Sequence, residues 1–577
     1  MKNIKDIKHQ KLLAAARGEA ACDLLIKGGK VANVLSLEYE DADIAIQDGI
    51  IVGVGKGYSG ARVEDASGKI LIPGLIDAHL HIESTMLRPS AFAEAVVPLG
   101  TTSVFPDPHE IANTCGLSGI EFMWNESRST PLDMFFGAPS CVPASPFETP
   151  YREISARGIA ECYSKNWCSH LGEMMNYPGI IRGDDLAWSK IIASRDRVKT
   201  AHLPGVRGHE LCAYLLSGCD GDHESSFADE ALEKLRRGVW VMMREGAAEH
   251  NLIETARIIL EDESRYARCM AVSDDLTAAC ILSDGHMDHK VRLLVASGIR
   301  PIIALAMVTK NPADYFRMRD RGAIAPGRIA DIVMVDSAEE CRALRVWKRG
   351  QLVAESGKAL FSASSAVAAL PKTPKLEITP SEETFKIPVK GRMIRVMEAL
   401  PGLVITKSLT LLPKVSDGYA VPDTERDIIK IAVVEKNRGT GRAALGFVRG
   451  FGLKRGALAS SVAHDAHNYV VIGADDRSML TALACVERNG GLATADGDDL
   501  TSCLPLPIGG LMSVLDPKAL AAEYSMISRA AEALGTVLPQ PFMALSFLSL
   551  SVIPELKLTD QGYVDPARGE LLDLFVE

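Results

Sequence analysis

His79 and His81 stand one residue apart at the end of an apolar, β-prone run over residues 70–76. In an extended chain the side chains at i and i+2 point the same way, so both imidazoles can face one cation. Further along, Glu173, His202, His223 and Asp274 each follow a short apolar run of their own. Taken singly, each has a duller reading. His202 precedes Leu203-Pro204 and suits a turn, Glu173 suits a paired carboxylate, and Asp274 or Asp275 suits the cap of the next helix. Together they make four imidazoles and two carboxylates, more than one tetrahedral zinc takes up. Two divalent ions are therefore expected, with Glu173 sharing its oxygens between them. His79, His81 and Asp274 would hold one ion, and His202 and His223 the other. Two cations that share a water lower its pKa and yield hydroxide at neutral pH. Asp274 is then suited to take the proton and return it to the leaving group. No thiolate belongs to the set, which leaves Mn²⁺, Fe²⁺ and Zn²⁺ all chemically reasonable. Such a centre does hydrolysis at a carbon that carries a nitrogen leaving group.

Ligands so far apart in the chain need a frame that gathers strand ends. Between residues 70 and 321, short apolar runs alternate with helical-period segments. Their ends fall at 79–81, 102–110, 134–137, 168–173, 200–202, 221–224, 239–245 and 269–275. Eight ends, spaced by about 20 to 40 residues, predict an α/β fold with a closed (β/α)8 barrel of TIM type and the ligands at its mouth. A helical lead is read over 8–17. Strand-rich runs at 23–29, 31–34 and 43–54, with a turn at Asp48-Gly49, are answered by others at 327–336 and 346–353. They predict one small β-sandwich assembled from both flanks of the barrel. Pro371-Lys372-Thr373-Pro374 reads as a linker. Beyond it, residues 376–577 carry strands, Gly-rich turns at 489–491 and 509–510, and a helix over 517–534, an additional α+β domain. The expected division is 1–69, 70–322, 323–362 and 376–577.

A chain of 577 residues is too long for one core, and 47% hydrophobic with 24% charged residues is an ordinary globular balance. The net charge of −11 gives no support for a nucleic-acid binder, which relies on clustered Lys and Arg. Residues 1–10 are polar with no apolar leader core, and no later run offers about 18 apolar residues in succession. Twelve cysteines are scattered without a Cys-x-x-Cys pair, as free thiols in a reducing compartment would be. The expectation is a cytoplasmic protein with no membrane partner.

The run Pro73-Gly74-Leu75-Ile76-Asp77-Ala78-His79-Leu80-His81, the later single histidines, the Asp of the eighth unit and the closing Gly322-Ala323-Ile324-Ala325-Pro326-Gly327-Arg328-Ile329-Ala330-Asp331-Ile332-Val333 resemble the amidohydrolase superfamily. Within it the chain is similar to the bacterial adenine deaminases over nearly its whole length. That likeness rests on Ile82-Glu83-Ser84-Thr85-Met86, Asp107-Pro108-His109-Glu110-Ile111, Gly172-Glu173-Met174-Met175, Met243-Arg244-Glu245-Gly246 and Ala463-His464-Asp465-Ala466-His467-Asn468. Many relatives bridge their metals with a carbamylated lysine in the fourth unit; here that position is Glu173, and Lys165 comes too early to replace it. The Pro-Cys-x-x-Cys of the small zinc deaminases is missing, so His81-Ile82-Glu83 is not their His-x-Glu motif.

The resemblance implies hydrolytic deamination of adenine to hypoxanthine and ammonia, with a metal-bridged hydroxide attacking C6 and N1 gaining a proton. It implies two divalent ions, Mn²⁺ first and Fe²⁺ next, a purine base as the small-molecule partner, and a homo-oligomer. Asp274, Glu173 and His109 are the expected catalytic residues. Glu83, Asp107 and Glu110 are expected at the base, or bracing the ligands from behind. Arg244 and Glu245 are expected to pair with each other, and Asp275 to hold His109 or Asp274. His464, Asp465 and His467 form a polar knot that either lines the barrel mouth or serves the tail alone. The alternatives are a related amidohydrolase acting on another aminated heterocycle or a cyclic amide, and an inactive scaffold of the same fold.

Overall fold

The computed structural model describes residues 4–247, 249–363, 374–401 and 403–576. Of the expected linker, residues 371–373 lie outside them. Eight parallel strands form the barrel: β1 (Leu75–His81), β2 (Thr101–Pro106), β3 (Asp133–Met134 and Phe136–Ala138), β4 (Cys168–Met174), β5 (Lys199–Ala201), β6 (Gly221–Asp222), β7 (Trp240–Arg244) and β8 (Cys269–Val272 and Asp274–Asp275). β3 is interrupted at Phe135 and β8 at Ser273. The barrel closes where Asp274 and Asp275 of β8 pair with Leu80 and His81 of β1. β1 is buried along its whole length because one face looks into the barrel and the other onto the surrounding helices. Ile76, Ala78, Phe105, Met242 and Met270 fill the interior, and Phe316 stacks on Phe105 with ring centroids 3.6 Å apart. The barrel is thus a packed core with its chemistry confined to one end.

The apolar run at 70–76 is not a single strand: Ile70–Pro73 belongs to the flanking sheet, and β1 starts only at Leu75. The break is at Gly74, where a Cβ would run into Thr102 Oγ1 and the N–H donates to the Asp331 carbonyl at 2.9 Å. Only glycine lets the backbone come so close.

Both flanks make one nine-stranded sheet, from Cys22–Asn33 to Ile70–Pro73 and from Ile332–Val335 to Lys358–Ala359. The runs expected at 23–29 and 31–34 are one strand with a bulge between Ile26 and Gly29. Its first half pairs with Gly60–Asp65 and its second with Ile70–Pro73. The sheet rolls back on itself, since the Ile51 N–H reaches the Arg328 carbonyl and the Ala330 N–H reaches that of Gly49. Ile26, Ile44, Ile332 and Trp347 share the enclosed core. Asp133 at the start of β3 ties barrel to sheet, with its Oδ2 2.8 Å from Lys348 Nζ and 2.7 Å from Arg321 Nη1.

The C-terminal region builds a second nine-stranded mixed sheet, within which Met393–Ala399 runs parallel to Ala443–Arg449. Helix Asp476–Asn489 packs on it, and a longer helix spans Pro517–Ala533. This domain docks over the barrel mouth. The Ser513 N–H donates to the Met86 carbonyl at 2.7 Å, the Arg438 guanidinium to the Pro150 carbonyl at 3.1 Å, and Asp560 accepts the Thr149 N–H at 3.1 Å. Among the described residues no helix is long and apolar enough to cross a membrane.

Candidate metal centre

At the mouth the six expected ligands come together. His79 and His81 sit on alternate positions of β1, and Glu173 is the sixth residue of β4. His202 and His223 directly follow β5 and β6, while Asp274 opens the second part of β8. Asp274 has a left-handed backbone, φ 58°, which a non-glycine residue rarely adopts. It turns the carboxylate out of line with the strand behind it.

Glu173 is the middle of the set. Its Oε1 lies 3.3 Å from His81 Nε2 and 3.9 Å from His79 Nε2. Its Oε2 lies 2.7 Å from His202 Nδ1 and 3.3 Å from His223 Nε2. Asp274 Oδ1 is 3.4 Å from His79 Nε2 and 3.3 Å from His81 Nε2. One carboxylate therefore presents an oxygen to each of two histidine pairs, and a second carboxylate completes the first pair. Among the described residues, several overlapping donor groups gather their atoms within 4.8 Å, among them His79, His81 and Glu173; His79, His223 and Asp274; and Glu173, His202 and His223. His79 Nε2 is buried without a hydrogen-bond partner, and a buried donor set of this kind is what a cation repays.

The electrostatics fit a cation as well. Burial alone would raise the Glu173 carboxyl, but His223, His202 and His81 hold it well below the usual range. Asp274 is likewise held down against burial by His79 and His81, with His223 and Arg244 adding to it. Burial and the neighbouring His223 lower His79. His223, despite its burial, is raised to about 9 by Glu173 and Asp274. In the protein alone the carboxylates raise His81, His202 and His223 while His79 is lowered; a divalent ion would take over that charge balance.

Behind the ligands stands a layer of polar support. Asp107 Oδ2 accepts the Glu173 N–H at 2.6 Å, and a Cβ at Gly172 would collide with this carboxylate. Glu83 Oε1 accepts the Ile111 N–H at 3.2 Å. Neither Asp107 nor Glu83 lines the cavity at the mouth, whereas Glu110 and His109 do. Of the three residues expected at the base, Glu83 and Asp107 hydrogen-bond to backbone N–H groups just past β2 and on β4, as groups bracing from behind would. His109 Nδ1 lies 3.6 Å from Asp107 and 3.7 Å from Glu173 Oε1, and its Nε2 lies 3.8 Å from Asp465 Oδ1.

Arg244 does not pair with Glu245. Its Nη1 lies 2.8 Å from Asp274 Oδ2 and it forks onto Glu224, while Glu245 takes His250 at 2.6 Å. Successive strand residues point to opposite faces, so β7 sends its last residue inward and the next one out. Asp275 bonds Ser84 Oγ rather than His109 or Asp274. Sequence reasoning missed Glu224 and Glu249, which line the cavity beside Arg244. The carboxyl of Glu249 is pushed up to about 8 by burial, against the pull of Arg244. The position of Glu224 right after a ligand histidine was the available signal.

The far wall comes from the C-terminal domain: Val404, His464, Asp465, Phe547, Leu550 and Ile553. Of the polar knot, His464 and Asp465 line the mouth. His464 stacks on Phe547 and turns Nδ1 to Glu110 Oε1 at 3.4 Å. His467 lies deeper; its Nδ1 accepts the Ala463 N–H at 3.0 Å, which fixes the proton of the neutral ring on Nε2, facing Glu110 Oε2. The two atoms are 3.7 Å apart, and Glu110, His464 and His467 gather their donor atoms within 4.8 Å.

A model of the amidohydrolase family matches residues 70–353, and one of the adenine deaminase C-terminal domain matches 403–570. Among relatives, the adenine deaminase of Methanothrix thermoacetophila is 42% identical over 98% of this chain and 99% of its own. That of Oleidesulfovibrio alaskensis is 42% identical over 98% of each, and that of Dehalococcoides mccartyi 40% identical over 97% of this chain and 98% of its own. With a metal centre of the amidohydrolase kind and a tail domain shared with these relatives, the chain belongs to the adenine deaminase family.

Proposed function

We propose that this chain hydrolyses adenine to hypoxanthine and ammonia, replacing the amino group on C6 by the oxygen of water. His79, His81 and Asp274 would hold one divalent cation and His202 and His223 a second, with Glu173 shared. When bound, the ions supply Lewis acidity and lower the pKa of water at neutral pH. The set of imidazole and carboxylate donors, with no sulfur, suits Mn²⁺ or Fe²⁺. Asp274 is the proton carrier: it receives the proton of the water and delivers it to the departing amine. Arg244 holds Oδ2 of Asp274, which keeps Oδ1 turned toward His79 and His81. His109, between Glu173 and Asp465, is suited to supply the proton that N1 gains.

The observation that carries this reading is the carboxylate of Glu173 set between two histidine pairs in a chain of this family. Ammonia release and conversion of adenine to hypoxanthine by the Mn²⁺-loaded protein test it, alongside adenosine, guanine, cytosine, hydantoin and dihydroorotate. Turnover of adenine above all others is the expected result; turnover of a cyclic amide and none of adenine would overturn it. The cysteines are free thiols, as suits a cytoplasmic enzyme.

A further inference from the structure

The cavity has one carboxylate that the barrel does not supply. Asp465 lines it from the C-terminal side, is 2% exposed, and its Oδ2 has no hydrogen-bond partner. Its Oδ1 lies 3.8 Å from His109 Nε2, whose other nitrogen is 3.7 Å from Glu173 Oε1. Asp465 is therefore one imidazole ring away from the ligand cluster. Its backbone is pinned: Glu148 Oε2 accepts the N–H of Asp465 at 3.4 Å and of Ala466 at 3.0 Å, and the other Glu148 oxygen is taken by Ser551 Oγ. The neighbouring His464 is tied at both ends, its N–H to the Ser546 carbonyl at 2.9 Å and its carbonyl to Ser549 Oγ at 3.2 Å. A fixed, buried oxygen without a donor costs stability unless a ligand brings one.

We propose that Asp465 is a specificity-determining residue that accepts a hydrogen bond from the N–H of the purine's imidazole ring. The proposal rests on the adenine reading above. A carboxylate can only accept, and adenine carries N–H groups in two places. The exocyclic amine belongs beside the metal ligands, where it is lost. The ring N–H is left for the wall across from them. A base substituted on that nitrogen has no proton to give and leaves Oδ2 buried and unmet, and a site built for an N–H discriminates strongly against its absence. Phe547, Leu550 and Ile553 beside it offer a sugar no hydrogen bonds.

The test compares adenine with 9-methyladenine, in which the ring N–H is replaced by N–CH₃. The wild-type enzyme should prefer adenine by at least about a hundredfold in kcat/KM. Asp465→Asn, close in shape, should raise the KM for adenine between about ten- and a hundredfold with metal content and Tm unchanged. Asp465→Ala, which makes room for the methyl group, should collapse the preference to within a few-fold. A preference that survives in both variants overturns the proposal. So does an equal loss of kcat on both substrates, which would mean that Asp465 acts only by holding His109. Should a variant not fold, binding decides: 9-methyladenine competing with adenine as well as adenine itself in the wild type sinks the idea. Wild-type protein that releases no ammonia from adenine would instead sink the underlying function.

Discussion

The barrel rim and the C-terminal wall face each other across one cavity and are built on different terms. On the rim the six candidate ligands ride on, or within a residue of, a strand, and nearly all the lining side chains are ionisable. The wall is set on loops and short helical turns, and four of its six lining residues are apolar. Strands packed on both faces give the rim the positional precision that metal ligands need, while loops give the wall freedom to match a flat heterocycle. The rim is suited to the chemistry and the wall to deciding what reaches it.

That division can be broken by substitution. The largest effect is expected on the rim: Glu173→Gln should lower turnover by on the order of a thousandfold and reduce bound metal, with the circular dichroism spectrum unchanged. Both metals retained at near-normal activity would take Glu173 out of the centre. On the wall, Leu550→Ala should raise the KM for adenine roughly tenfold, leave kcat within a few-fold and leave metal stoichiometry alone. Loss of metal in that variant would mean that the two sides are not separable.

The smallest kinetic effect, none, is expected at the far end of the barrel. The Asp133 carboxyl, though partly buried, is held at about 2 by Lys348 and Arg321. A folded pKa below the unfolded value stabilises above the latter and is lost as pH falls toward the former. Asp133→Asn should therefore cost about 2 kcal/mol near neutral pH. That difference should fade between about pH 4 and pH 2, with kcat and KM unchanged throughout. Urea unfolding of both proteins across that range measures it, and a difference independent of pH would exclude the ion pair as its cause.

What could be read from the sequence follows the same division. The rim was legible because strand periodicity makes His79 and His81 neighbours, and because alternating apolar runs end in Glu173, His202, His223 and Asp274. The wall was not, since Leu550 and Ile553 look like any core residues until a cavity is found in front of them. Asp465 was visible as part of a polar knot, but nothing along the chain says which loop will lie over a barrel mouth. The break at Gly74 was hidden because the run is apolar on both sides of it. The adjacency of Arg244 and Glu245 misled for the opposite reason: neighbours in a strand are the residues least able to touch.

The pinning of Asp465 by Glu148 and Ser551 also orders events in time. All six candidate ligands have left the ribosome by Asp274, nearly half the chain before Ile553 emerges. The nascent polypeptide thus carries the whole candidate donor set before the apolar front of the cavity, Phe547 to Ile553, has been made.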